Sequence, residues 1–304
     1  MELKLRGTRP KSSQTTSAMK NDACLTKAPA DLAGWVMLFA YESLPVLAST
    51  AQTLEDLRAI EDSVDAHMLA EAFADDPLMT IKVLAHVAKM RASRRAGREG
   101  SDTETVLESL VMLGISPFFT AFGPQATVED QLSEQPQALQ GFRAVLRRSR
   151  RAARFAMGFA VHRMDHDAPV IHDAALLHDF TELLLWLRAP ALALQIQERQ
   201  LADTTLRSAA VQSEVLNVEL PRLEHALMVA WKLPRLLVQI TDGHAPQVNA
   251  QTRNVQLALR VARHSALCWD NAALPDDVRE VGELLTIHPE AAARLLREID
   301  AEPA

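Results

Sequence analysis

The sequence has few of the residues from which hairpins, disulfide frameworks and zinc sites are built. Of its 304 residues only ten are glycine and 5% are aromatic, with a single tyrosine. Tight hairpin turns depend on glycine, so its shortage argues against a fold of many short strands. Cys24 and Cys268 are far apart in sequence, which leaves no disulfide or zinc spacing and is typical of a protein from a reducing cytoplasm.

The chain also lacks a basic excess and a long uncharged apolar run. Its formal net charge is −7 and its pI is about 5.8, which argues against a general nucleic-acid binder. The longest apolar candidate, residues 32–46, contains Glu42 and Pro45 and is too short to span a bilayer. The basic residues near the N-terminus have no apolar stretch behind them, as a secretory signal would require. We therefore expect a cytoplasmic protein without a membrane partner.

The residues that are abundant favour helices. Hydrophobic residues make up 48% of the chain, and Ala, Leu, Glu, Gln and Arg recur throughout, all of which are favourable in helices. No stretch alternates apolar and polar residues in the manner of a half-buried strand, and no fixed-period repeat indicates a solenoid. The sequence predicts an all-α fold, with long helices at about 142–161, 170–187 and 251–269.

Several residue patterns predict where helices begin. Asp31 and Asp65 each precede an apolar segment in the manner of an N-cap. Asp76 followed by Pro77 is a stronger signal, because proline needs no hydrogen-bond acceptor at the first helical position. The run Ser101 to Glu104 reads as a capping box, in which the two end side chains each accept from the other's backbone.

Three local patterns, taken together in this order, resemble a known family. The first is Ser43-Leu44-Pro45-Val46-Leu47 with Asp76-Pro77-Leu78, the second is Ser109-Leu110-Val111-Met112-Leu113-Gly114, and the third is Leu177-His178-Asp179-Phe180 with Trp231-Lys232-Leu233-Pro234. Over about residues 35–265 the chain resembles the HDOD family, which is similar in fold to the metal-dependent HD phosphohydrolases. The resemblance implies an orthogonal array of helices and a role in bacterial signal transduction.

The composition of the first residues, rich in Ser, Thr and Lys without a periodic apolar face, and the extent of the resemblance together predict a division of the chain. We expect residues 1–30 to be a disordered tail and residues 31–245 to form the HDOD domain. Residues 246–304 are expected to form C-terminal helices that pack on this domain or extend it.

An active HD enzyme, by the same resemblance, binds its metal ions through an early His, an adjacent His-Asp pair and a late Asp. The pair is present here as His178 and Asp179. Arg148 stands at the place of the early His, and Arg263 or His264 at the place of the late Asp. Because a guanidinium has no free lone pair, arginine cannot ligate a metal. We therefore expect neither metal nor cofactor, and a structural role for His178 and Asp179.

The leading hypothesis is thus a non-enzymatic regulatory module that acts through contacts with protein partners, with no catalytic residues. One alternative is a metal-dependent phosphohydrolase with the altered ligand set His178, Asp179, His244 and His264. A second alternative is a phosphate- or nucleotide-binding module.

The second alternative depends on arginines of one predicted helix, of which Arg147, Arg148 and Arg151 are the strongest candidates for a phosphate site. The same side chains could instead form a solvated face that pairs with the acidic surplus. No aromatic residues for base stacking are interleaved with them, which makes nucleic acid an unfavoured partner. His162, His166 and His172 could suggest a metal cluster, but their polar surroundings favour a solvated helix end.

Overall fold

The computed structural model describes residues 24–94, 104–203, 205–242 and 249–301. The all-α prediction is confirmed. Within these ranges the β-type pairing is limited to one bridge between Val46 and Thr127. The helices in chain order are α1 Leu32–Leu38, α2 Ala48–Arg58, α3 Ala66–Ala72, α4 Pro77–Arg94, α5 Val106–Leu113, α6 Ile115–Ala121, α7 Val128–Gln131, α8 Pro136–His162, α9 Ala168–Leu177, α10 Phe180–Arg188, α11 Pro190–Ala202, α12 Ser208–Leu216, α13 Leu220–Ala230, α14 Arg235–Thr241, α15 Ala250–His264, α16 Leu274–Leu285 and α17 Pro289–Ala301.

The three aspartates predicted to begin helices do so. The Asp31 carboxylate accepts from the backbone N–H of Gly34 at 2.9 Å, and Asp65 accepts from that of Met68 at 2.9 Å. Asp76 accepts from two backbone N–H groups in the first turn of α4 and from a third in the segment before α2. Each carboxylate satisfies donors that a helix start leaves without a partner.

The predicted capping box at Ser101 to Glu104 falls largely on residues 101–103, which lie outside the described ranges. It does not begin α5 as expected, because that helix begins with a box formed by Thr105 and Glu108. The N–H of Glu108 donates to Thr105 Oγ1 at 3.1 Å, and the N–H of Thr105 donates to Glu108 Oε2 at 3.4 Å. Both segments fit the same motif, but only the second directly adjoins the apolar run of α5.

The helix predicted at 170–187 is two helices, because the chain breaks at His178 and Asp179. Helix α9 ends at Leu177 and α10 begins at Phe180. The carbonyl of Asp179 accepts from the backbone N–H groups of Glu182 and Leu183, at 3.0 and 3.2 Å. The apolar pattern continues across this break, so periodicity alone gives no sign of it.

Two apolar cores share α4 as a common wall. One face of α4, with Leu78 and Ile81, packs in the larger core around α8, α9, α10, α13 and α15. The opposite face, with Met79 and Val83, packs in a smaller core with α2, α3, α5 and α6. The smaller core also contains three phenylalanines, Phe118, Phe119 and Phe122.

Helix α8 is the central element of the larger core, and α15 and α17 pack against it. The side-chain amide of Asn254 donates to the Ala156 carbonyl at 3.2 Å. Arg151 forms a two-pronged ion pair with Asp300 of α17, at 2.8 and 2.9 Å. The helices after residue 249 therefore contact the rest of the protein closely, while the exact domain boundaries stay a prediction.

The N-terminal segment joins the domain earlier than expected. Residues 1–23 of the predicted tail lie outside the described ranges. From Leu25 the chain contacts the core, since its backbone N–H donates to the Arg188 carbonyl at 2.7 Å. Further along, the Asn217 side chain donates to the Pro29 carbonyl at 3.0 Å. These two contacts shorten the tail that the sequence predicts through residue 30.

Candidate functional site

The break between α9 and α10 places His178 and Asp179 within the larger helical array, where they face residues of α8, α10 and α13. Five polar side chains of the described residues meet here, and they make only two hydrogen bonds with one another. We call the set the His178 cluster. It comprises His178 and Asp179 at the break, Arg148 on α8, Glu182 on α10 and Glu224 on α13.

Arg148 bridges two carboxylates of α10. Its Nε donates to Asp179 Oδ2 at 2.8 Å and its second terminal nitrogen donates to Glu182 Oε2 at 2.7 Å. Asp179 and Glu182 are three positions apart, so both project from the same side of the helix. All three side chains are at most one third exposed, so the pairing is stronger than that of a surface ion pair.

Burial and the Arg148 guanidinium are the two main influences on the pKa values of Asp179 and Glu182. Burial opposes the charged form of Asp179, but the neighbouring Arg148 outweighs it and lowers the pKa of Asp179 below its usual range. Burial dominates at Glu182, where the nearby Asp179 charge adds to it, and the pKa of Glu182 is raised. The pKa of Arg148 is raised despite burial, because both carboxylates favour its charged form.

His178 and Glu224 lie side by side next to this pair. His178 Nδ1 lies 3.6 Å from Glu224 Oε1, which is too long for a hydrogen bond. Burial lowers the pKa of His178. Burial and the charge of Asp179 raise the pKa of Glu224 well above its ordinary value. Burial thus disfavours the charged form of each side chain.

The side chains of the cluster do not fit a dication. Both carboxylate groups of α10 are already bound by the Arg148 guanidinium. The described ranges contain no group of three or more His, Cys, Asp or Glu side chains arranged to hold a metal ion. Placing a dication beside Arg148 would also cost Coulomb energy, on the order of several kcal/mol in a partly buried cleft.

The other expected ligands are elsewhere or outside the described ranges. His264 points to the buried Asp277 of α16, with Nδ1 2.5 Å from Oδ2. His244 lies outside the described ranges. Arg263 is on the same helix as His264 but lines the same space as His178. Of the two residues expected at the place of the late Asp, Arg263 is thus the one that faces the cluster.

The His178 cluster forms one end of a cleft of about 600 Å³. Its walls are α8, α10, α11, α12 and α13. At the far end Trp186 of α10 lies against Gly141 of α8. A second hollow of about 420 Å³ adjoins on the α15 side and shares His178 and Arg263 with the first. Both volumes are within the range that is typical of small-molecule sites.

The three arginines expected to bind phosphate face different surroundings. Arg147 is exposed. Arg148 is bound to the carboxylates of α10, and Arg151 is bound to Asp300 of α17 and to the Ser265 hydroxyl. Arg148 and Arg151 are thus committed to acidic partners on different helices. A phosphate site on these residues stays a prediction that the geometry does not favour.

The residues that sequence reasoning missed are Glu224, Glu182 and Trp186. Glu224 had a usable signal. It falls between Leu220, Leu223 and Leu227 on the apolar face of its helix, where a carboxylate is unusual. Glu182 and Trp186 gave no signal of their own, because only the three-dimensional packing brings them to the cleft.

Comparisons with known proteins agree with this architecture. The HDOD domain family matches residues 44–246. The MmoQ response regulator from Methylococcus capsulatus superposes with a TM-score of 0.62 at 19% identity, covering 84% of this chain and 98% of that one. A virulence factor from Campylobacter jejuni superposes with a TM-score of 0.58 at 17% identity, covering 86% and 92%. Among curated proteins none matches the chain. At these identities the likeness to the solved structures shows the fold alone.

Proposed function

Because the chain belongs to the HDOD domain family, we propose that it is a non-enzymatic regulatory module of bacterial signal transduction, acting through contacts with protein partners. The observation that supports this most is the position of Arg148, whose guanidinium is bound between Asp179 and Glu182. An internal, permanently charged group thereby occupies the carboxylates that a hydrolytic metal ion would need.

The electrostatics of the cluster point the same way. Metal-assisted hydrolysis needs carboxylates and neutral imidazoles that converge on the ion and leave a position open for water. Here the Arg148 guanidinium is bound to both Asp179 and Glu182, and burial and the charge of Asp179 disfavour the ionised form of Glu224 by raising its pKa. A fixed positive charge therefore stands among the carboxylates that would have to attract a dication.

A role in signalling is supported by the family and by the helical framework. The similar fold from Methylococcus capsulatus is that of a protein named a response regulator. Within the described residues no helix has both the length and the hydropathy that a bilayer crossing requires. We propose that the helical array provides surfaces for protein partners and that the His178 cluster stabilises this array.

A phosphohydrolase with an altered ligand set is the competing hypothesis. It would require Arg148 to leave Asp179 and Glu182 and His264 to approach His178, while His244 lies outside the described ranges. His264 would have to give up the buried Asp277. The cost of breaking two partly buried ion pairs makes this rearrangement unfavourable.

A turnover assay tests the proposal. The purified protein is incubated with p-nitrophenyl phosphate, bis-p-nitrophenyl phosphate and a cyclic dinucleotide, with Mn²⁺ or Mg²⁺ in excess. We expect no turnover above that of a buffer control. Turnover that is abolished in His178→Ala but retained in His225→Ala, an exposed histidine of α13, would refute the non-enzymatic role.

A further inference from the structure

The cleft contains buried polar atoms without hydrogen-bond partners. Trp186 Nε1, His178 Nδ1 and Glu224 Oε1 are each buried and make no hydrogen bond within the described residues. The Trp186 and Glu224 residues are only 4% exposed, and all three line the same cleft. A buried polar atom left unpaired is destabilising, because it has given up its hydrogen bond to water without a replacement. Three such atoms around one cavity indicate that a bound molecule supplies the missing partners.

The geometry of α8 and α10 sets the shape of this space. The two helices run antiparallel, since Gly141 meets Trp186 at one end and Arg148 meets Asp179 at the other. Gly141 and Arg148 are seven positions apart in the sequence, which corresponds to about 10 Å along a helix. Between these ends the cleft has apolar walls and an amide-rich edge, formed by Val145, Leu185, Ile196, Gln197 and Gln212.

Gly141 is needed for the far end of the cleft. A Cβ atom at this position would lie 2.4 Å from Cζ2 of Trp186, which no real packing tolerates. Without a side chain, α8 lets the indole ring lie directly against its backbone. The indole N–H, a hydrogen-bond donor only, is thereby held in the wall of the cleft without an acceptor.

Arg263 lies at the other end of the cleft, beside His178. Burial disfavours the charged forms of His178 and Glu224, because it lowers the pKa of His178 and raises the pKa of Glu224. Arg148 is offset by its two carboxylates. Arg263 is exposed and forms no ion pair within the part of the chain that the structure describes. Its guanidinium is therefore available to a ligand at the entrance shared by the two hollows.

We propose that this cleft binds a small organic anion, a carboxylate or phosphate monoester on a flat apolar body. The anionic group would pair with Arg263, since a guanidinium recognises both groups through two parallel hydrogen bonds. The neighbouring His178 Nδ1 and Glu224 Oε1, which lack hydrogen-bond partners within the described residues, would hydrogen-bond to it or to a linking oxygen. The flat body would lie between the apolar walls, with an acceptor directed at Trp186 Nε1. This binding requires neither turnover nor a protein partner, so it is tested separately from the proposed function.

Calorimetric titration with four matched naphthalene compounds tests the proposal. The two anions are 1-naphthylacetate and 1-naphthyl phosphate, the neutral analogue is 1-naphthylacetamide and the cation is 1-naphthylmethylamine. We expect one-to-one binding of at least one anion with a Kd below about 1 mM. The neutral analogue should bind at least about tenfold more weakly, and the amine should give no saturable heat. The anion that binds with the lower Kd shows whether the site prefers a carboxylate or a phosphate.

Variants of the chain then locate the site. Arg263→Gln should weaken anion binding by about tenfold, because the ion pair is lost. Arg147→Gln, at an exposed arginine outside the cleft, should bind like the wild type. Trp186→Phe retains an aromatic ring without the N–H and should weaken binding by about threefold or more. All variants are first checked for unchanged helicity and melting.

Three results would overturn the inference. The first is the absence of saturable binding for both anions up to about 10 mM. The second is binding of the amine as tight as that of the anions. The third is an unchanged affinity in Arg263→Gln.

Discussion

Arg148 Nε lies 2.8 Å from Asp179 Oδ2, and this ion pair joins the centre of α8 to the first turn of α10. The contact forms where the chain passes from α9 to α10. The same guanidinium binds Glu182 one turn later. The two ion pairs therefore join α8 to the beginning of α10.

Removing this guanidinium should destabilise the protein. Arg148→Met keeps the aliphatic part of the side chain but leaves Asp179 and Glu182 without a cation. Breaking a buried pair typically costs 3–5 kcal/mol, and partial exposure of these groups reduces our expectation to about 2 to 4 kcal/mol. Denaturant unfolding monitored by circular dichroism measures the change.

The adjacent position provides the control for this prediction. Arg147 is exposed on the same helix, and Arg147→Met should change the free energy of unfolding by less than about 0.5 kcal/mol. Equal losses in the two variants would mean that Arg148 stabilises the protein only through general helix or surface effects.

Glu224 should make stability depend on pH. Its folded-state pKa is raised well above the ordinary value of 4.5, so the protonated form is favoured in the folded protein. This contribution is fully present below the unfolded pKa and is lost as pH rises through the folded pKa. A glutamine at this position cannot ionise, so the Glu224→Gln variant does not lose stability in this way as pH rises. Its melting temperature should equal that of the wild type near about pH 4 and should exceed it increasingly as pH rises.

Glu298→Gln, an exposed carboxylate of α17, is the control for this pH series. Its melting curve should follow that of the wild type at every pH. A Glu224→Gln variant that is less stable than the wild type at pH 8 would show that the glutamate is ionised and bound by a partner instead.

Gly141→Ala should disturb the cleft. The new Cβ would lie 2.4 Å from the Trp186 ring, so the indole must move. Crowding of this kind costs about 1 to 3 kcal/mol, while the better helix propensity of alanine returns up to about 1 kcal/mol. We expect a net loss of about 1 to 2 kcal/mol in unfolding free energy and a red shift in tryptophan emission.

Gly158→Ala tests whether the effect is specific. The crowding atom at this position is Cδ1 of Ile299, the end of a flexible side chain, also at 2.4 Å. Because an isoleucine can change rotamer, we expect a smaller loss and no change in tryptophan emission. The reverse order of the two losses would contradict the packing of Trp186 against α8.

Asp277 should couple α16 to α15. It is fully buried, and its carboxylate is bound by Arg260 at 2.6 Å and by His264 at 2.5 Å. Asp277→Asn should lower the free energy of unfolding by about 2 to 4 kcal/mol within a single cooperative transition. Asp276→Asn, at an exposed neighbour, should have little effect. A separate early transition in Asp277→Asn would show that these helices form an independent unit.

Much of the fold could be predicted from local signals. Asp31, Asp65 and Asp76 begin helices because a carboxylate at an N-cap satisfies donors within its own first turn, which is a purely local effect. The break at His178 was not predictable in this way, because the apolar pattern of Ala174 to Leu187 continues through it. That break depends on tertiary packing, which overrides the local preference.

The site was predictable in part for the same reason. The resemblance to the HDOD family identified His178, Asp179 and the substitution at Arg148. It could not show that Arg148 binds Asp179 and Glu182, because α8 and α10 meet only in the folded chain. From the sequence alone, Arg263 and His264 were equally plausible as the residue that lies beside His178 in the folded protein. Only the rotation of α15 decides that Arg263 faces the cleft and that His264 faces Asp277.

Metal content after exchange tests the central claim most directly. The protein is dialysed against Mn²⁺, Fe²⁺ or Zn²⁺, freed of unbound ion, and analysed by elemental mass spectrometry beside His178→Ala. A guanidinium bound between Asp179 and Glu182 predicts well under one metal ion per chain, with no difference between the two proteins. One or more ions per chain in the wild type, lost in His178→Ala, would contradict the account.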